Sequence, residues 1–89
     1  MKESYITVVG FLNKQSVEVQ NDELFIDIRM TSDMRLNFDK ELSPVVLNDI
    51  STKSVIKAIV KGKLIETYQT INRVSKKHRV LEVESYSVM

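Results

Sequence analysis

The stretch Val55 to Tyr68, VIKAIVKGKLIETY, limits what this chain can fold into more than any other part of it. Ile56, Ala58, Val60 and Leu64 fall on one side of an alternation, with Lys57, Lys61 and Lys63 on the other. Successive strand side chains point to opposite faces, so this two-residue period predicts a strand with one buried face. Gly62 interrupts the pattern and predicts a bulge or sharp bend. At about 3.3 Å per residue such a strand reaches about 40 Å, too long to stay flat in a small sheet, and it is expected to curl as barrel strands do. His78 to Val88 reads as a further long strand, returning after a polar turn as the second arm of a hairpin.

The remaining segments supply strands to close a barrel around that hairpin. Ser4 to Val19 alternates Ile6, Val8 and Leu12 against Tyr5, Thr7, Val9 and Phe11, with Gly10 as a central bend and Val17 and Val19 continuing the pattern. A strand bent at a central glycine can serve both sheets of a small barrel. After a turn at Gln20, Asn21 and Asp22, Leu24 to Met30 sends Leu24, Ile26, Ile28 and Met30 inward and Phe25, Asp27 and Arg29 outward. Thr31, Ser32 and Asp33 form the next turn, and Met34 to Phe38 a third strand. Ser43-Pro44 marks a helix start, serine as cap and proline in the first turn, with the helix running from Pro44 to about Ile50.

The order is strand, strand, strand, short helix, strand, strand, with the first and fourth strands bent. It predicts an all-β protein with one short helix: a five-stranded OB-fold Greek-key barrel, the helix between strands three and four. An SH3-like barrel competes less well, because its strands are shorter and it lacks this helix. Eighty-nine residues make a single domain, 1–89, with one modest core. The absence of cysteine excludes a disulfide framework and thiolate metal sites, and no apolar run is long enough to span a membrane. MKESYITVV lacks a signal-peptide core, so the expected location is cytoplasmic. Net charge is +1, but residues 1–49 hold five Lys/Arg against nine Asp/Glu and residues 50–89 eight against three. That asymmetry points to one basic surface, or to strand faces whose charges pair across the sheet.

Several segments resemble bacterial single-stranded DNA-binding proteins. YITVVGFLNK is similar to their opening strand, RLNFDKELSPV to their third strand and helix start, KSVIKAIVKGKLIETY to their fourth strand, and VLEVESYSVM to their closing strand. The resemblance implies an OB-fold that binds single-stranded DNA without catalysis in replication or recombination, and assembly as a homo-oligomer through the first strand, here by Tyr5, Val9 and Phe11. The chain departs from the pattern in having no tryptophan, in carrying Thr52-Lys53-Ser54 where a glycine is expected, and in ending at Met89 without a glycine-rich linker or acidic tail. A small tail-less relative, such as the primosomal replication protein or a phage or mobile-element version, is the expectation that follows.

Binding single strands without sequence preference takes a basic groove for phosphates and aromatic platforms for bases. Arg73, Lys76, Lys77, His78 and Arg79 lie within seven residues, with no acid from Tyr68 to Val80. Tyr68 matches a tryptophan of the resembled family by position, at the base of this basic hairpin. A solvated hairpin tip is the plain alternative, and the aromatic tips the reading toward nucleic acid. Phe25, with Arg29 beside it, is either a stacking platform or a cover for the barrel end or a subunit contact. Phe38 aligns with a stacking phenylalanine of the family, while its alternation with Met34 and Leu36 favours the core. Lys57, Lys61 and Lys63 either extend the positive track or protect an exposed strand face.

Enzyme chemistry has little support. His78, the only histidine, has no neighbouring carboxylate in sequence, and Asp27, Asp33 and Asp39 have the spacing of surface residues. Neither glycine belongs to a phosphate-binding loop, and no cofactor is expected. The leading expectation is a single-stranded DNA-binding protein, RNA being the other ligand such a groove accepts. The alternative is an OB-fold module that binds or modulates proteins of a replication or recombination complex, which the missing tryptophans and the acidic first half favour.

Overall fold

Strand β1 (Ser4–Gln20) pairs on both sides: its first half lies antiparallel to β4 (Lys57–Ile71) and its second half antiparallel to β2 (Glu23–Arg29). The computed structural model describes residues 4–30 and 33–89, the Gln69 side chain excepted; the turn expected at Thr31 and Ser32 lies outside them. β2 pairs with β3 (Met34–Phe38), β3 runs parallel to β5 (Val74–Val88), and β5 returns antiparallel along β4. The order β1-β2-β3-β5-β4 closes on itself, with helix α1 (Ser43–Thr52) between β3 and β4. This is the five-stranded OB-fold barrel that the element order predicts.

The period-two pattern builds the core. Leu24, Ile26 and Ile28 of β2 are wholly buried and face Leu36 and Phe38 of β3; Val8 and Leu12 of β1, Val46 of α1, Ala58 and Val60 of β4 and Leu81 and Val83 of β5 belong to the same core. Phe38 has no exposed surface, and its ring meets that of Tyr86 edge-on, 5.5 Å between centroids. This corrects its candidacy as a stacking platform, because no ring face is open to a base. The β1–β2 register shifts between Asn13 and Glu18, and beyond the shift Val19 lies opposite Leu24 and is exposed.

Both glycines sit where two backbones nearly touch. A Cβ at Gly10 would collide with the Arg29 carbonyl oxygen, and one at Gly62 with that of Glu82. Neither has positive φ, so close approach rather than handedness reserves these positions. The expected irregularity lies beside Gly62: Lys61 faces Ser85 but Gly62 faces Val83, leaving Glu84 as the extra residue.

The helix is longer than expected, and its start is held differently. Leu42 is the N-cap residue and makes no side-chain cap bond. Asp39 Oδ1 accepts the N–H groups of Glu41 and Leu42, both at 3.0 Å. Ser43, expected as the cap, is buried; its hydroxyl accepts the Leu24 N–H at 3.0 Å and lies 3.0 Å from the Phe38 carbonyl oxygen, tying the helix to the β2–β3 hairpin. At the other end Asp49 accepts from the Lys53 ammonium and the Tyr86 hydroxyl, each at 2.8 Å. These two donors hold the Asp49 carboxyl below the usual carboxylate range, and burial pushes the Tyr86 hydroxyl up, so it stays a neutral donor.

Two outcomes follow. Gly62→Ala should lower unfolding free energy by roughly 1–3 kcal/mol in urea denaturation, because the added methyl meets backbone that cannot rotate away; a loss under about 0.5 kcal/mol would contradict the close approach. A depressed carboxyl contributes stability that is present above its unfolded pKa, about 3.9, and is lost as pH falls through its lower folded value. The stability gap between the parent and Asp49→Asn should therefore be full near neutrality and close as pH drops below about 4. A gap constant from neutral to strongly acid pH would remove Asp49 from this role.

Candidate nucleic-acid interface

β4 and β5 outrun the barrel. β4 loses β1 as a neighbour after Leu64, paired with Ser4, and β5 gains β3 only at Val80, paired with Arg35. Residues 65–79 therefore pair only along the β4–β5 ladder, as a two-stranded arm about 20 Å long. Asn72 and Arg73 close it in a two-residue turn with φ of 52° and 65°, the positive values of a type I′ hairpin turn whose twist matches the flanking strands. The expected strand at His78 thus begins earlier, at Val74.

Cross-strand partners share a face, so the register sorts the basic cluster. Tyr68 lies opposite Lys77, Glu66 opposite Arg79, and Thr70 opposite Ser75. Tyr68 is 72% exposed. On this face Lys77 Nζ meets Glu66 Oε2 at 2.9 Å. Thr67 opposite His78 and Ile71 opposite Val74 belong to the other face, together with Lys76. The arm thus brings Tyr68, Lys77 and Arg79 together and turns Lys76 and His78 away from them. Glu66 is the residue that the acid-free run concealed: it lies just outside the run in sequence and inside it in space. Arg73, Lys76, His78 and Arg79 make no ion pair among the described residues.

Phe25 occupies the outward face of β2, as expected, but is only partly exposed. The Arg35 guanidinium sits 5.9 Å from its ring centroid. Arg35 also reaches Asp27 at 3.1 Å, Glu18 at 3.2 Å and the Ser16 carbonyl oxygen at 2.9 Å. Sequence reasoning passed over Arg35, which joins three strands and lids the ring. Its partners lie 8 to 19 residues away in the chain, and only the register brings them within reach. Arg29 is exposed at the end of β2, opposite Phe11 of β1.

The lysines expected as a track and the residues expected for self-association lie on one face. On the outer β1–β4 face Phe11 pairs with Lys57, Val9 with Ile59, Thr7 with Lys61 and Tyr5 with Lys63. Tyr5, Val9 and Phe11 are 52%, 44% and 47% exposed, and the Lys57 ammonium lies 5.9 Å from the Phe11 ring centroid. Lys63 also faces Glu82 and lines a concavity of about 210 Å³ with Glu23, Asn37, Asp39 and Glu84. Four carboxylates there repel phosphate, so the positive track does not continue across β5.

Among the described residues no group of three or more His, Asp or Glu side chains is arranged to hold a metal ion, and no helix is long and apolar enough to cross a membrane. Arg35→Ala should lower stability by roughly 1–2 kcal/mol in urea unfolding, since it removes charge-assisted bonds from a partly exposed site. A change within about 0.3 kcal/mol would show that the network carries no weight.

The fold belongs with those of single-stranded DNA-binding proteins. The mitochondrial single-stranded DNA-binding protein of S. cerevisiae superposes with a TM-score of 0.77 at 11% identity, over 100% of this chain and 97% of that one. The small single-stranded DNA-binding protein of Streptomyces coelicolor gives 0.66 at 11% identity, over 100% and 96%. Aspartyl tRNA synthetase of Entamoeba histolytica gives 0.62 at 14% identity, over 93% of this chain and 18% of that chain. At these identities the likeness is one of fold, and the fold serves more than one activity. No family model and no curated protein sequence matches the chain.

Proposed function

We propose that this protein binds single-stranded DNA without catalysis and grips it with the β4–β5 arm. The observation that carries this reading is a projecting ribbon with an open tyrosine, five basic or potentially basic side chains and one acid. Tyr68 is the stacking platform; Arg73, Lys76, Lys77, His78 and Arg79 meet phosphates. Arg29, Lys57 and Lys61 extend the contact over the barrel, while Phe25 and Lys63 take the lesser share that their neighbours leave them. The likeness to two single-stranded DNA-binding folds over nearly their whole length supports the same ligand. Single-stranded RNA presents the same phosphates and base faces.

The setting we propose is replication or recombination, in a cytoplasmic protein of cellular, phage or mobile-element origin. A second copy pairs through Tyr5, Val9 and Phe11, and a dimer doubles weak contacts along one strand. One observation favours the other reading, a protein-binding module: Phe38 is buried and Phe25 lidded, which leaves the arm a single open aromatic, while the β1 face shows two, Tyr5 and Phe11, with Val9 between them.

Fluorescence anisotropy of labelled oligo-dT over a salt series separates these readings. Tyr68→Ala should weaken binding by roughly 1–3 kcal/mol with the salt slope unchanged. Lys76→Ala should flatten the slope of log K against log salt by about 0.7, the value for one phosphate contact on a single strand. Lys77→Ala should change it less, because Glu66 already partners that ammonium. No binding at low salt would discard the DNA reading in favour of the protein module.

A further inference from the structure

The arm ends in a feature that phosphate and base binding leave unused. Ile71 and Val74 face each other across the Asn72-Arg73 turn and are 59% and 58% exposed, at the far end of the arm from the core. With Asn72, Lys76 and His78 they line a shallow concavity of about 430 Å³. A tip built only for solubility would carry polar residues there. A cross-strand pair beside a turn does steady a hairpin, but a threonine pair does so equally.

The chemistry of the two faces differs. Aromatic rings offer a flat surface for single bases, and Tyr68 does so partway along the arm. Apolar side chains, isoleucine among them, are what some proteins drive between neighbouring base pairs to unstack them. The tip has that character: two branched apolar side chains side by side, flanked by Arg73 and Lys76, with no acid from residue 67 to residue 81. Charge complementarity commits the occupant to nucleic acid, and two paired apolar side chains with no flat ring for a lone base fit a base step.

We infer that the tip is a wedge for the end of a DNA duplex. At a junction between single and double strand, Ile71 and Val74 enter beside the terminal base pair and unstack it, Arg73 and Lys76 hold the flanking phosphates, and the released strand passes around the ribbon edge to Tyr68 on the opposite face, about 10 Å down the arm. This rests on the reading of the arm as a single-strand grip.

The test uses two probes: oligo-dT, and a duplex with a dT overhang carrying 2-aminopurine in the terminal base pair. Saturating protein should raise 2-aminopurine fluorescence by about twofold or more, as unstacking does. Ile71→Thr with Val74→Thr keeps branched strand residues at both places; it should leave oligo-dT affinity within about twofold and abolish the rise. Ile71→Leu with Val74→Leu keeps the apolar surface and should retain the rise, which separates apolarity from strand propensity. Oligo-dT binding with no rise from the parent overturns the wedge and leaves the grip standing. A threonine variant that matches the parent at the junction, or that loses both probes alike, also overturns it. Failure of the parent to bind either probe removes the wedge together with the grip.

Discussion

Barrel closure through β1 is the constraint from which the rest of the structure follows. One strand must pair with β4 over its first half and with β2 over its second. The change of partner falls at Phe11, beside Gly10, where only the absence of a side chain lets the Arg29 carbonyl come so close. Gly62 does the same between β4 and β5. Since β1 gives β4 only residues 4–11 as partners, the end of β4 has no neighbour but β5. The arm is thus a consequence of how the barrel closes, not a separate addition to it.

Stability and the proposed binding consequently rest on different residues. The barrel is held by buried aliphatic side chains, the Ser43 tie to the β2–β3 hairpin and the Asp49 bond to Tyr86. The arm buries none of the core and is held by cross-strand hydrogen bonds and its turn. A lone two-stranded ribbon is marginal by itself, so the barrel must anchor this one at Leu64 and Val80. In return the arm can carry an open tyrosine and a dense set of cations without disturbing packing. Arg35 shows the opposite arrangement: its charge is spent on Asp27 and Glu18, and it covers the Phe25 ring, which is left only partly exposed.

The barrel was legible because its strands alternate strictly: Leu24 to Ile28 and Met34 to Phe38 could be read inward residue by residue. The misses arise where burial does not drive the pattern. Residues 74–77 have no apolar alternation, and they are strand because an Asn-Arg turn sets their register, so the early start of β5 was hidden. Ser43 looked like a cap because its place before proline suits one, but its hydroxyl found a buried partner on β2 first. For the candidate site, Tyr68 and the basic run were readable as a segment. The partners that divide it, Glu66 for Lys77 and Arg35 for Phe25, lie across strands and become neighbours only through pairing.

The most direct measurement is an amide-resolved NMR titration of the protein with oligo-dT at low salt. If the arm is the grip, the shift changes concentrate in residues 65–79, with smaller ones at Arg29 and along the outer β1–β4 face. Changes confined to the barrel, with residues 65–79 untouched at saturation, would contradict the account.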